Sequence, residues 1–399
     1  MRGAYDVAIV GGGIIGTATA MLLAERGQRV IVLEAEEKLA AHQSGHNSGV
    51  IHAGLYYRPG SRKALLCAEG REAMYRFCAT EGIPHRQCGK LVVAIRDRDV
   101  PALDELERRG RSNGLAGLRR LTAAELHEHE PEVSGVGGLW VPQTGVVDYA
   151  LVTAAYGRRA SQAGTDIVLN ARVLDIASDS AAVRAVTTVG DFAARFLVNC
   201  AGLHADRVAR LAGEETTVRI VPFRGEYFDL RPERASLVRG LIYPVPDPAL
   251  PFLGVHLSRT IHNHVHAGPN AVFAFSRHGY RMRDFSMRDV SNAVSFSGFW
   301  RMARRHWRSG LSEIRRSLSR QLFVRSIQEL VPAIAEADVV RGGSGVRAQA
   351  VDRAGKLLDD FHIVRSPRAL HVLNAPSPAA TASLAIGREI ADQVIQATA

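Results

Sequence analysis

Tyr5-Asp6-Val7-Ala8-Ile9-Val10, running straight into Gly11-Gly12-Gly13-Ile14-Ile15-Gly16, is the stretch on which the fold turns. The first six residues are short, β-branched and apolar from Val7 on, the pattern of a strand buried in a parallel sheet. A helical run with Ala18, Leu22 and Leu23 follows, with Gly27 placed to cap its C-terminus. A second strand, Gln28 to Leu33, ends on Glu34, eighteen positions past Gly16. A G-x-G-x-x-G run alone arises often by chance, but between a strand and a helix, with an acidic residue at the next strand end, it marks a dinucleotide site. Gly11 permits the tight turn, Gly13 lets the backbone approach a pyrophosphate, and Gly16 lets the helix lie close to the sheet. The helix start at Ile14 and Ile15 then turns N–H groups and a positive dipole end toward phosphate. Glu34, with Ala35 beside it, is placed to accept ribose hydroxyls. Its charge repels a 2′-phosphate, which argues against NADP. The motif itself leaves NAD and FAD open.

The rest of the chain limits the class. Its 399 residues are 46% hydrophobic and 23% charged, the composition of an ordinary globular protein large enough for two joined domains. Fifty Lys and Arg against forty Asp and Glu give a net charge of +10, which favours anionic partners without choosing among them. Cys67, Cys78, Cys88 and Cys200 form no C-x-x-C pair, so they read as reduced thiols rather than a zinc site or disulfide framework. No signal peptide is expected before the first strand, and no apolar run approaches the roughly 20 residues of a membrane span. The expectation is a cytoplasmic protein, with any membrane contact peripheral, on the inner membrane.

Further strands are expected at Gly89–Ile95, Asp166–Ile176, Ala182–Thr188, Ala193–Cys200, Val218–Phe228 and Leu241–Ser258. Helices are expected at Arg98–Ser112, Tyr149–Gly164, over the basic region 281–323, and from about Ala379 to Gln396. The glycines of Gly342-Gly343-Ser344-Gly345 lack a strand–turn–helix setting, so no second dinucleotide unit is expected. His262, His264 and His266 alternate as on one face of a strand; with no nearby carboxylate or Cys in sequence, no metal site is assigned there.

The segment His46-Asn47-Ser48-Gly49-Val50-Ile51-His52-Ala53-Gly54 resembles the flavin-approaching loop of the L-2-hydroxyglutarate dehydrogenase/oxidase family, within the D-amino-acid-oxidase-like superfamily. Phe223-Arg224-Gly225-Glu226-Tyr227-Phe228, the block from Ile242 to Pro248, Leu253-Gly254-Val255-His256-Leu257, Gly268-Pro269-Asn270-Ala271, Gly345-Val346-Arg347-Ala348-Gln349 and the block from Asn374 to Thr381 are similar to further segments of that family, in the same order. The resemblance implies FAD. It implies an α/β fold: a Rossmann-like FAD domain from 1–85, 145–215 and 335–399, interleaved with a mixed or antiparallel-sheet substrate domain from 86–144 and 216–334. Beside the first glycines, Gln43, Ser44, His46, Asn47, Ser48 and Gly49 are implied to pass beneath the isoalloxazine. Val173, Ala201 and Gly202 would meet the nucleotide, and Pro376, Ser377, Pro378 and Ala379 the pyrimidine edge, where a following helix N-terminus would favour anionic reduced flavin.

The implied reaction oxidises L-2-hydroxyglutarate to 2-oxoglutarate by hydride transfer from C2 to flavin N5, with electrons passed to quinone or oxygen. Such chemistry needs a base at the hydroxyl and a cation for the carboxylate. His52 is the first candidate base and His256 the second. Arg347, in a G-x-R turn, is the carboxylate anchor. Arg224 and Lys63 are candidates for a second carboxylate, and Tyr227 for a hydrogen bond to the substrate. Rival readings are an amine oxidase of glycine- or sarcosine-oxidase type, a glycerol-3-phosphate dehydrogenase, and a non-catalytic FAD module. The Arg-rich segment 301–320, with Trp300, Trp307, Leu311, Ile314 and Leu318, fits either a solvated face or an interfacial helix on anionic lipid. No nucleic-acid module is present.

Overall fold

The computed structural model describes residues 2–246 and 254–398. The part of the expected Leu241–Ser258 strand that falls on 247–253, including Asp247 and Pro248, lies outside the described residues. Arg2–Val10 pairs in parallel with Val30–Leu33 on one side and Gly190–Asn199 on the other. Asp166–Val168 extends this parallel core beyond Val30–Leu33, and Ala369–Asn374 pairs with the C-terminal half of Gly190–Asn199. Antiparallel arms, Val173–Ser178 with Val183–Thr187 and His362–Ser366, complete eight strands. The single expected strand 166–176 is therefore two. Asp166–Val168 closes one edge of the sheet and Val173–Ser178 starts at the opposite edge, with Asn170 at φ 57° in the turn between them.

Helices Ile14–Ala24, Tyr149–Gln162 and Ser383–Thr398 pack together on one face of this sheet, and Arg62–Thr80 packs on the last of them. Their buried faces join Val7, Ile9, Val30 and Val32 to Leu23, Val152, Tyr156, Ile386 and Ile390 in one core. Gly27 adopts φ 80° just past the first helix, the left-handed conformation its capping role requires. All four cysteines are free thiols.

Among the described residues the second sheet has nine strands and is mixed. Lys90–Ala94 runs parallel to Leu241–Pro244, and the other pairings are antiparallel. Val339–Asp352, counted at sequence level with the last FAD segment, instead pairs along its length with Val218–Leu230 in this sheet. Strand periodicity could not tell the two sheets apart. The basic region 281–323 is helical only from Met287, as Met287–Val294, Ser297–Leu318 and Arg320–Gln328, with a kink at His306. The last helix starts at Ser383 rather than Ala379, because residues 376–382 form turns first.

Candidate active site

One cavity of about 1030 Å³ runs between the two sheets, from the glycine turn to the second sheet's inner face. At one end Gly11 adopts φ 110°, and a Cβ there would lie 2.5 Å from the Cys200 carbonyl oxygen. At Gly16 a Cβ would lie 2.0 Å from the Gly11 carbonyl oxygen, so Gly16 stands behind the wall and locks helix to turn. Gly13 precedes the helix with no side-chain cap, and a Cβ at Gly13 would enter the space before the Ser44 hydroxyl, 3.2 Å away. The Ser44 oxygen accepts the Ile14 N–H at 2.9 Å, which ties the 41–49 loop to the helix start. Glu34 is 8% exposed and accepts the N–H groups of Gly12 and Glu36, the latter at 2.9 Å. A turn that a Cβ at Gly13 would fill, a helix start that its own N-cap residue leaves without a side-chain cap, and a lining carboxylate fit the adenosine diphosphate half of FAD.

Ile15, Ala35, Gln43, His46, Ser48, Val173, Ala201 and Gly202 also line the cavity. Asn47 shapes its own loop, donating to the Gln43 and Ser44 carbonyls and accepting the Gly49 N–H at 2.8 Å. Gly49 has φ 66° and lies behind the wall, where a Cβ would strike the Val147 carbonyl. Pro376, Ser377, Pro378 and Ala379 close the far side as a turn. Thr381 in the same segment accepts the His52 backbone N–H at 3.1 Å and meets the Tyr149 hydroxyl at 2.9 Å, so this turn and the 46–54 loop are held as one body.

His52 and His256 both reach the cavity. Burial, aided by the neighbouring charge of Lys90, depresses the His52 pKa to about 3, so the ring is neutral. Its Nε2 meets the Ser377 hydroxyl at 3.3 Å. Burial likewise takes His256 to about 3, against the hydrogen bond from its Nδ1–H to the Gly254 carbonyl, 2.9 Å away. That bond fixes the tautomer and leaves Nε2 as an acceptor. The His256 ring stacks on Tyr243 at 3.9 Å.

Arg347 lines the cavity from within the strand Val339–Asp352, opposite Phe223, not from a turn as expected. Burial lowers its pKa, opposed by Tyr227 and Glu313. Gly345 beside it allows the strand to abut the flavin loop, since a Cβ would lie 2.6 Å from the His46 carbonyl oxygen. Tyr227 lines the cavity too, and burial raises its pKa. The second-carboxylate candidates fare differently. Lys63 lines the cavity but pairs with Asp359 at 2.9 Å. Arg224 is not among the lining residues; its guanidinium holds Glu226 at 3.0 Å and the Arg281 carbonyl at 3.0 Å.

The histidine trio is corrected. Only His266 lies in a strand, Val265–Gly268, and the fold does supply carboxylates, Asp229 to His266 and Asp148 to His262. The two pairs are separate. Elsewhere Glu36, His42 and His278 bring their donor atoms within 4.8 Å of one another at the nucleotide end, a grouping that no spacing reveals. His42 there already bonds the Glu36 carboxylate at 3.2 Å and the Tyr280 hydroxyl at 2.9 Å. Sequence reading also missed Tyr56, Tyr57 and Tyr243 in the wall, and Lys90 behind two of them. Lys90 carried a readable signal, one cation opening the apolar run Leu91-Val92-Val93-Ala94.

A nucleotide cradle joined to a buried pocket with neutral histidines and an arginine defines a flavin-dependent dehydrogenase or oxidase, and the chain matches the family described as FAD dependent oxidoreductase over residues 6–393. It belongs to that family. More narrowly, it is 47% identical over 395 residues to L-2-hydroxyglutarate dehydrogenase of Indibacter alkaliphilus, covering 98% of this chain and 99% of that one. It is 46% identical over 393 residues to the enzyme of the same name from Escherichia coli K12, covering 98% and 93%. Among solved structures, FAD-bound L-α-glycerophosphate oxidase from Mycoplasma pneumoniae superimposes with a TM-score of 0.81 at 23% identity, covering 99% and 95%. Glycine oxidase from Geobacillus kaustophilus gives 0.72 at 22%, covering 98% and 95%. At such identities these two speak for the fold alone.

Proposed function

We propose that this protein oxidises L-2-hydroxyglutarate to 2-oxoglutarate with FAD as its cofactor. The observation that carries the reading is near-full-length identity of 42–47% to L-2-hydroxyglutarate dehydrogenases, in a chain whose histidines and arginine converge on one cavity. FAD, when bound, supplies the two-electron acceptor. Arg347 binds the carboxylate beside the reacting carbon, and Tyr227 donates a hydrogen bond to the same ligand. His52 takes the hydroxyl proton at Nε2, because its backbone is fastened to the 376–381 turn at the flavin's edge. Burial keeps the imidazole neutral with its Nε2 lone pair free, at a cost in basicity that the negative charge of a bound carboxylate substrate would offset. His256, with Nδ1–H spent on Gly254, faces the ligand from the opposite wall as an acceptor.

The electrons leave to quinone or oxygen, and the protein meets the membrane peripherally. Among the described residues no helix is long and apolar enough to cross a bilayer. Helix Ser297–Leu318, however, exposes Trp300, Trp307, Leu311, Ile314 and Leu318 beside Arg301, Arg304, Arg305, Arg308 and Arg315. Indole and aliphatic groups among arginines suit an anionic lipid surface.

The test is anaerobic addition of L-2-hydroxyglutarate to the purified holoprotein. Bleaching by the L but not the D enantiomer, with 2-oxoglutarate formed, is the expected result. A flavin that stays oxidised with both, yet is reduced by glycine, sarcosine or glycerol 3-phosphate, refutes the substrate. Oxygen uptake measured against reduction of a soluble quinone assigns the acceptor. Cosedimentation with phosphatidylglycerol vesicles, lost in the W300S/W307S variant, checks the membrane contact.

A further inference from the structure

Lys90 is 1% exposed and opens the strand Lys90–Ala94, a run buried at every position. Its ammonium sits 4.3 Å from the Tyr56 ring centroid and 4.9 Å from that of Tyr243. Among the described residues no carboxylate pairs with it. A buried cation held only by aromatic faces is costly unless a ligand completes its coordination. Both rings belong to the cavity wall. The Tyr56 hydroxyl is itself buried without a hydrogen-bond partner, a second donor left open at the same place. An ammonium over the Tyr56 ring and that ring's own unpartnered hydroxyl mark the place as a receptor for an anion.

The sheet order says which anion. Counting across the second sheet, Lys90 is followed by Tyr243 on the next strand and His256 on the one after, while Tyr227 and Arg347 lie on the strands toward the other side. His256 stands between the two cations and feels the charge of both. A ligand with a carboxylate on Arg347 and its reacting carbon beside the histidines therefore extends its remaining chain toward Lys90. The two other cations considered for that end are already committed, Lys63 to Asp359 and Arg224 to Glu226.

We propose that Lys90 and the Tyr56 hydroxyl form the subsite for the distal carboxylate of a 2-hydroxy diacid, and so set the preference for a dicarboxylate over a monocarboxylate. The assignment rests on the reading of the substrate given above. It also accounts for the unmatched charge, because the ligand's second carboxylate is the missing counterion. Burial lowers the Lys90 pKa to about 7, so the site holds a proton loosely until an anion arrives.

Calorimetric titration of the oxidised holoprotein with 2-oxoglutarate and with 2-oxopentanoate, which has the same chain length without the distal carboxylate, reads the subsite without turnover. The wild type is expected to favour the diacid, and Lys90→Met to reduce that preference about 10- to 100-fold, the range for a charge-assisted hydrogen bond. An unchanged ratio of the two affinities overturns the assignment, as does an equal loss for both ligands. Should Lys90→Met fail to fold or hold FAD, the wild type supplies the second measurement. At pH 8, titrations in phosphate and in Tris should reveal proton uptake with 2-oxoglutarate that exceeds uptake with 2-oxopentanoate. Equal uptake by the two ligands again refutes the assignment. A wild type whose flavin is not reduced by L-2-hydroxyglutarate condemns the substrate reading itself, an outcome distinct from either result on Lys90.

Discussion

Replacing Arg277 by Met should cost the protein several kilocalories of stability, and the surroundings of that side chain say why. Arg277 is 1% exposed and Asp206 0%. The guanidinium grips the carboxylate with two nitrogens, Nη2 reaching Oδ2 at 2.9 Å, and also donates to the Leu203 carbonyl at 2.6 Å and the Ile220 carbonyl at 3.0 Å. Asp206 belongs to the short helix Ala205–Leu211 that follows the FAD-side strand Gly190–Asn199, while Ile220 lies on the second sheet. The pair thus joins the two halves beside Leu203, a residue of the cofactor cavity. Removing the cation leaves the buried carboxylate with only the Ile220 N–H at 3.2 Å and Arg210 at 3.4 Å, and takes a donor from two carbonyls, a change worth about 3–5 kcal/mol. An unfolding entropy of about 2.1 cal/mol/K per residue over 399 residues turns that into a melting point about 4–6 °C lower.

The dependence on pH sharpens the test. Burial alone would raise the Asp206 carboxyl, but the Arg277 hydrogen bonds and charge override it, and its pKa lies below the ordinary value. A carboxyl depressed in the folded state stabilises above its unfolded pKa, and this contribution is lost as pH falls through the lower folded value. In Arg277→Met the larger part of that override is gone, leaving only the Ile220 N–H and the Arg210 charge against burial, so the carboxyl rises and milder acid neutralises it. The melting gap between variant and wild type should be full at pH 7 and narrow toward pH 4–5. Adding Asp206→Leu to Arg277→Met should recover part of the loss, because the buried carboxylate is then gone and only Arg210, partly exposed, gives up its 3.4 Å contact with it. Differential scanning calorimetry of the holoprotein decides it. A gap under 1 °C at pH 7, or one that stays constant with pH, refutes the reasoning.

Three further changes probe the cavity. Gly16→Ala places a Cβ 2.0 Å from the Gly11 carbonyl oxygen, and since only backbone can move there, the purified protein should lose most of its flavin absorbance per mole of chain. Glu34→Ala removes a buried carboxylate that lines the nucleotide end of the cavity; FAD titration of apoprotein, followed by flavin fluorescence, should give a Kd about 10- to 100-fold weaker. With Lys90 lowered by burial to about 7 and His52 and His256 to about 3, kcat/KM for the diacid should show no acid limb from either histidine above about pH 5. It should fall up to tenfold per pH unit above about 7 as Lys90 loses its charge, and a profile flat to pH 9 would count against that charge taking part.

What could be read from the chain followed the range of the interactions involved. The glycine turn and Glu34 were legible because a βαβ unit is local: its period, cap and acid fall within thirty-four residues of the N-terminus. Strand membership was not. Val339–Asp352 carries the same alternation whether it joins one sheet or the other, and only its pairing with Val218–Leu230 decides. The site divided along the same line. The segments around Arg347, His52 and His256 pointed to residues that the fold brings to one cavity wall, but which partners a cation meets depends on residues distant in sequence. Lys63 meets Asp359, 296 positions away, and Arg224 turns to the Arg281 carbonyl, 57 positions on, and neither pairing is visible from motif position. Lys90 shows the converse. Its short apolar strand looked purely structural, and its chemistry emerged only when Tyr56 and Tyr243, from separate segments, closed around the ammonium with no acid among them. A lone lysine at the head of an otherwise buried strand therefore deserves to be read as a site candidate as soon as the residues opposite it are known, because burial without a counterion is a state that folding alone does not favour.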